Sequence, residues 1–69
     1  MNKVTINTEF IKLDQFLKWA GIAEHGAAAK AMIQDGIVKV NGEAATQRGK
    51  KLYKGYVVSV EGLGEYVIE

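Results

Sequence analysis

The sequence predicts an α+β domain, with two packed helices against a small, mainly antiparallel sheet. Apolar residues recur at helical spacing over Leu13–Ala20, and an alanine-rich second stretch follows. After Gly36 the apolar period changes from about 3.6 to 2. Asn41-Gly42 then separates two extended segments, and this dipeptide is the strongest two-residue hairpin signal. With 69 residues the chain makes one domain, residues 1–69. Hydrophobic residues at 48% and charged residues at 25% are the mix of a folded globular domain, so disorder is not expected.

Taken in order, Lys3–Ile6 alternates and carries β-branched residues, so it reads as a short first strand. Leu13, Phe16, Leu17 and Ala20 fall at i, i+3, i+4 and i+7, one face of a helix, and Phe16 is a core residue on it. Gly21 can end this helix in a left-handed turn. A second helix is predicted from about Gly26 to Asp35, with Ala29, Met32 and Ile33 as its apolar stripe and Gly36 just beyond its end. Ile37–Val40 is a strand, Asn41-Gly42 a type I′ turn, and Glu43–Thr46 a short return strand. Gln47–Lys51 is a loop by composition, Leu52-Tyr53 is briefly extended, and Lys54-Gly55 turns the chain. Tyr56–Val60 and Glu65–Ile68 are strands, joined as a terminal hairpin by Gly62-Leu63-Gly64.

The composition narrows the chemistry. The absence of cysteine removes disulfides, thiolate metal sites and a cysteine nucleophile. His25 is the only histidine, so no histidine cluster can hold a metal, and no cofactor is expected. A triad would need Ser59, His25 and an aspartate. Its spacing supports none, because Ser59 falls inside a predicted strand. Gly62-Leu63-Gly64 joins two strands and lacks the helix that would present a phosphate site. Asp14 sits in the first turn of the first helix, where its charge suits the helix dipole. No enzyme is therefore expected. With no leader segment and no long apolar run, the expectation is a cytoplasmic protein without membrane contact.

Net charge is only +1, but it is unevenly spread. Lys39–Lys54 holds five basic residues (Lys39, Arg48, Lys50, Lys51, Lys54) against the single acid Glu43, a local +4. Gly55–Glu69 holds three acids (Glu61, Glu65, Glu69) and no base, a local −3. Lys12 and Lys18 lie near or on the first helix. Lys30 lies on the second, about 60° from Ile33 on a helical wheel, flanking its buried stripe. Affinity for phosphate comes from several cations spread over one face. Charge alone leaves two readings open: a nucleic-acid face, or solvated lysines that keep the domain soluble. His25 is either a helix-entry residue or a phosphate contact. Trp19, about 120° from the centre of the apolar stripe, is either a half-buried edge residue or an exposed contact surface. Tyr53, Tyr56 and Tyr66 suit half-buried strands.

Three segments together carry a family resemblance. They are Leu13-Asp14-Gln15-Phe16-Leu17-Lys18, Gly26 through Lys30, and Ile33-Gln34-Asp35-Gly36-Ile37-Val38-Lys39-Val40-Asn41-Gly42. The string resembles the RNA-binding domain named after small-subunit ribosomal protein S-four, also called the alpha-L motif. Arg48-Gly49-Lys50-Lys51-Leu52-Tyr53-Lys54-Gly55 is similar to the small stand-alone bacterial proteins of the YaaA type, which are little more than this domain. The likeness covers roughly Phe10 to Val60.

The resemblance implies two helices packed on a small sheet and binding to structured RNA, ribosomal or transfer RNA, in a ribosome-associated setting. It implies a binding module, since relatives carry their chemistry on a separate domain. By position it implies RNA contacts at Lys12, where the family often has arginine, at Lys30 in the second helix, at Lys39 before Val-Asn-Gly, and at Arg48, Lys50 and Lys51 in the loop. A small polar residue often starts the second helix, where His25 stands beside Gly26. Lysine at position 12 keeps the charge but lacks the bidentate fork of arginine. The family favours Gly-Asp where this chain has Gly55-Tyr56, which removes an acid beside the implied RNA face.

The resulting expectation is a monomeric domain whose RNA-binding residues are Lys12, Lys18, His25, Gly26, Lys30, Lys39, Arg48, Lys50 and Lys51. The rival is a protein-interaction module of a ribosome or RNA-processing complex, using Trp19 and the terminal hairpin.

Overall fold

A computed structural model describes all residues, Met1–Glu69. Strand β1 (Asn2–Val4) opens the chain, followed by β2 (Phe10–Lys12), α1 (Leu13–Trp19) and α2 (Gly26–Gln34). Five strands follow: β3 (Val38–Val40), β4 (Glu43–Ala44), β5 (Lys51–Tyr53), β6 (Val57–Val60) and β7 (Gly64–Ile68). The main sheet has the order β1-β7-β6-β3-β4, and β2 pairs with β5 in a separate two-stranded ribbon. All pairings are antiparallel except β1 with β7. The predicted class is borne out: two packed helices against a mainly antiparallel sheet.

The core forms where the helical and strand periods meet. Leu13, Phe16 and Leu17 of α1 and Ala29 and Ile33 of α2 are buried against Val38, Val40, Val58 and Val60, the inward alternates of β3 and β6. Lys39, between two buried valines, faces out on the other side of the sheet. Leu52 from the ribbon and Ile68 from β7 complete the same core.

Gly36, at φ +75°, follows the C-cap residue Asp35 and ends α2 as predicted. The β3–β4 hairpin turns on Asn41 and Gly42, with φ +51° and +85°, the two positive values that a type I′ turn needs. Asn41 also ties the turn to β6: its Oδ1 accepts the Val57 N–H at 2.9 Å, and its own N–H donates to the Val57 carbonyl at 2.8 Å. Replacing Gly42 by alanine puts a Cβ at a left-handed φ, at a cost of about 1–2 kcal/mol. In a domain of this size we expect Tm to fall by about 4–8 °C for each kcal/mol lost, read by thermal denaturation. An unchanged Tm would show that the turn carries no strain.

Several boundaries differ from expectation. The first strand is Asn2–Val4 rather than Lys3–Ile6; Ile6 is buried beyond it and donates its N–H to the Glu69 carbonyl at 2.9 Å. The return strand stops at Ala44, although Ala45 still donates to the Val38 carbonyl at 2.9 Å before the chain leaves the sheet. Lys51 belongs to β5 instead of the loop, and Tyr56 belongs to the turn before β6. The β2 strand has no counterpart in the sequence reading. It runs straight into α1 with no turn residue between them, so the change of period carries no punctuation.

Candidate nucleic-acid interface

The basic loop is held by backbone, not by its side chains. The α1 N-cap residue, Lys12, makes no capping hydrogen bond with its side chain. Two of the orphan amides at this helix start instead donate to the loop: Leu13 N–H to the Lys50 carbonyl at 2.9 Å, and Asp14 N–H to the Arg48 carbonyl at 3.0 Å. These amides are therefore used internally, and the start of α1 can meet a ligand only through side chains. Asp14 turns its carboxylate onto the next amide of the helix, with Oδ1 accepting the Gln15 N–H at 2.8 Å. The docked loop continues into β5, where Lys51 lies opposite Lys12 in the ribbon.

On the other side of this loop lies α2. Lys30, Ile33 and Gln34 of α2 and Thr46, Gln47 and Arg48 of the loop line an open groove of about 540 Å³. Lys30 and Arg48, 18 positions apart in the sequence, thus share one concavity. At the start of α2, His25 is an N-cap: its Nδ1 accepts the Ala28 N–H at 3.1 Å. This bears out the helix-entry reading of His25. The N–H groups of Gly26 and Ala27 find no acceptor in the protein. Lys30 stands one turn after Gly26, which opens the helix.

The structure therefore sets Lys30 and Arg48 across one groove and Lys12 opposite Lys51 in the ribbon that adjoins the docked loop, with His25 and Gly26 at the head of α2. Lys50 adjoins them but lines a neighbouring concavity with Glu43 and Ala44. Two expected residues stand apart. Lys39, on the outer face of the sheet, lines a groove with Ser59, Glu61 and Glu65. Lys18 lies beside Ile11, Gln15 and Trp19. The local −3 of the C-terminal segment thus gathers partly around Lys39 and partly at the Lys3–Glu69 pair (3.9 Å), the only salt bridge in the chain. All the basic residues of the candidate face are exposed and have no acidic partner.

Thr46, Gln47 and Gln34 share the groove, and no signal in the sequence marks them; nothing but their place beside Arg48 and Lys30 identifies them. Trp19 resolves to the exposed alternative at 60%, with its indole N–H donating to the Thr5 carbonyl at 2.9 Å. Ser59 hydrogen-bonds Glu65 at 3.3 Å on the outer face of the sheet, away from His25 at the head of α2, so the triad does not assemble. No helix is long and apolar enough to cross a membrane.

Residues 4–69 match the family model described as the S4 domain, and the chain belongs to that family. It is 43% identical over 67 residues to RlbA of Bacillus subtilis (strain 168), described as a probable ribosome maturation protein; the match covers 97% of this chain and 94% of RlbA. It is 38% identical over 58 residues to YbcJ of Escherichia coli (strain K12), covering 84% of this chain and 83% of YbcJ. The solution structure of YbcJ from E. coli is described as revealing an alpha-L motif involved in RNA binding. It superposes with a TM-score of 0.71 at 33% identity, covering 97% of this chain and 87% of that one.

Proposed function

We propose that this protein is a cytoplasmic RNA-binding module that recognises structured RNA, ribosomal or transfer RNA, in a ribosome-associated role. The observation that carries the reading is the groove where Lys30 of α2 faces the docked Arg48 loop, beside the unneutralised pair Lys12 and Lys51. Cations from three separate chain segments lie in and beside this groove with no salt bridge to hold them, free to meet a run of phosphates. The open amides of Gly26 and Ala27 add donors at the head of the same helix. With side chains reaching phosphates and 2′-hydroxyls, the module reads the shape of an A-form arrangement more than its sequence. The names of RlbA and YbcJ support the same reading.

Two paired variants test it against a structured ribosomal RNA fragment. Lys30→Ala with Arg48→Ala removes the groove cations, and we expect the log–log salt slope of the binding constant to become shallower by about two. Lys18→Ala with Lys39→Ala removes the same charge from elsewhere on the surface. Screened at physiological salt, that change should leave affinity within about twofold. Equal losses in the two variants would mean that net charge, not this groove, governs binding.

One observation favours a second reading. Trp19 is exposed beside Ile11, as a protein-docking residue would be. The terminal hairpin is less suited to that role, because β7 is hydrogen-bonded on both sides, to β1 and to β6, and offers no free edge. Association that needs a protein partner, resists salt and is lost on Trp19→Ala would favour it.

A further inference from the structure

The ribbon of β2 and β5 carries a feature that phosphate binding alone leaves unexplained. Its register sets Phe10 opposite Tyr53, Ile11 opposite Leu52, and Lys12 opposite Lys51. Ile11 and Leu52 turn toward the core, where Leu52 is fully buried. Alternation then leaves Phe10, Lys12, Lys51 and Tyr53 together on the outer face. Like charges directly opposite each other destabilise a strand pair, and here no acid relieves Lys12 and Lys51. Lys51 instead lies over the Phe10 ring, with Nζ 4.8 Å from its centroid. Next to these cations is an aromatic array: Phe10 to Tyr53 at 5.9 Å between centroids, and Tyr53 to Tyr56 at 5.7 Å. Tyr53 touches both other rings and is 39% exposed.

We infer that the outer face of this ribbon receives an unpaired nucleotide, its base stacked on Tyr53 and its flanking phosphate between Lys12 and Lys51. The inference rests on the RNA-binding reading and extends it from phosphates to a base. Duplex RNA hides its base faces within the stack, whereas a bulge or loop exposes them, and aromatic rings beside a cationic track are the surface such bases stack on. The tilted packing of Phe10 and Tyr56 fixes the plane of Tyr53 before binding, so little freedom is lost when a base arrives. Every base has a π-face, so the preference is for an unpaired position and not for one base type. The preferred ligand is thus a helix interrupted by a bulge or ending in a loop near the bound phosphates.

The test uses two blunt-ended RNA duplexes without loops, identical except that one carries a single bulged fluorescent adenine analogue. Affinity is read by anisotropy at low salt, and stacking by quenching of the analogue. We expect the wild-type protein to bind the bulged RNA about tenfold more tightly than the paired one and to quench its fluorescence. Tyr53→Leu keeps apolar bulk in the strand but has no π-face; it should lose the preference and the quenching while binding the paired RNA as before. Tyr53→Phe should restore both. Equal wild-type affinity for the two RNAs, or a preference that survives in Tyr53→Leu, overturns the stacking site while leaving RNA binding intact. Failure of the wild-type protein to bind either RNA overturns the RNA-binding reading and the stacking site with it.

Discussion

Replacing Arg48, Lys50 and Lys51 together with alanine is expected to weaken binding to structured RNA by roughly tenfold or more at low salt. The log–log salt dependence should become shallower by up to about three, one unit for each phosphate contact removed. The fold should survive, for a specific reason. The loop is fixed to α1 by the carbonyls of Arg48 and Lys50, which accept from Asp14 and Leu13, and these bonds do not depend on side chains. The three side chains are exposed and make no salt bridge. Alanine at position 51 does remove the ammonium that lies over the Phe10 ring, and an exposed cation–π pair contributes only about 0.5–1 kcal/mol. A circular dichroism melt close to that of the wild type, together with weaker binding and a shallower salt slope, is the expected pattern. Unchanged affinity in a folded variant would remove the loop from the interface.

The largest expected effect on stability is at Phe16. It is fully buried in α1, within the single core that serves both helices and the sheet. Truncation to alanine costs about 3–5 kcal/mol through lost transfer energy and the cavity left behind. A core in a domain this small supplies no more than about 3–5 kcal/mol of net stability. Phe16→Ala should therefore be largely unfolded at 25 °C, with collapsed amide dispersion in a proton–nitrogen spectrum. A dispersed spectrum would mean that the core repacks around the cavity or that the domain is more stable than its size implies. Because the groove is assembled from α2 and a loop docked on α1, the same variant should also lose RNA binding.

Both helices were legible because each presents a long apolar stripe and ends at a glycine that the chain needs. Gly21 and Gly36 both stand at φ +75°. The β3–β4 turn was legible because Asn41-Gly42 admits two consecutive positive φ values. The β2–β5 ribbon was not. Each of its strands is three residues long, too short to show a period, and their pairing joins segments about 40 residues apart. Missing β2 also hid the cross-strand pairing of Lys12 with Lys51 and the aromatic array around Tyr53. The individual cations were visible in the sequence, but their grouping was not. Lys30 and Arg48 meet only because the loop docks on the start of α1, and Lys39 leaves the group because strand alternation turns it to the outer face of the sheet.

The proposed function confines RNA contact to the Lys30–Arg48 groove and the ribbon beside it, and not the whole surface. An NMR titration of isotopically labelled protein with a structured ribosomal RNA fragment, first at low and then at physiological salt, tests this. The predicted result is a set of shifts on Lys12, Gly26–Lys30 and Arg48–Lys51, reaching Tyr53 where the fragment carries an unpaired base, and fading as salt is added. Shifts centred instead on Trp19 or on the outer face around Lys39 and Glu65, or no shifts even at low salt, would contradict it.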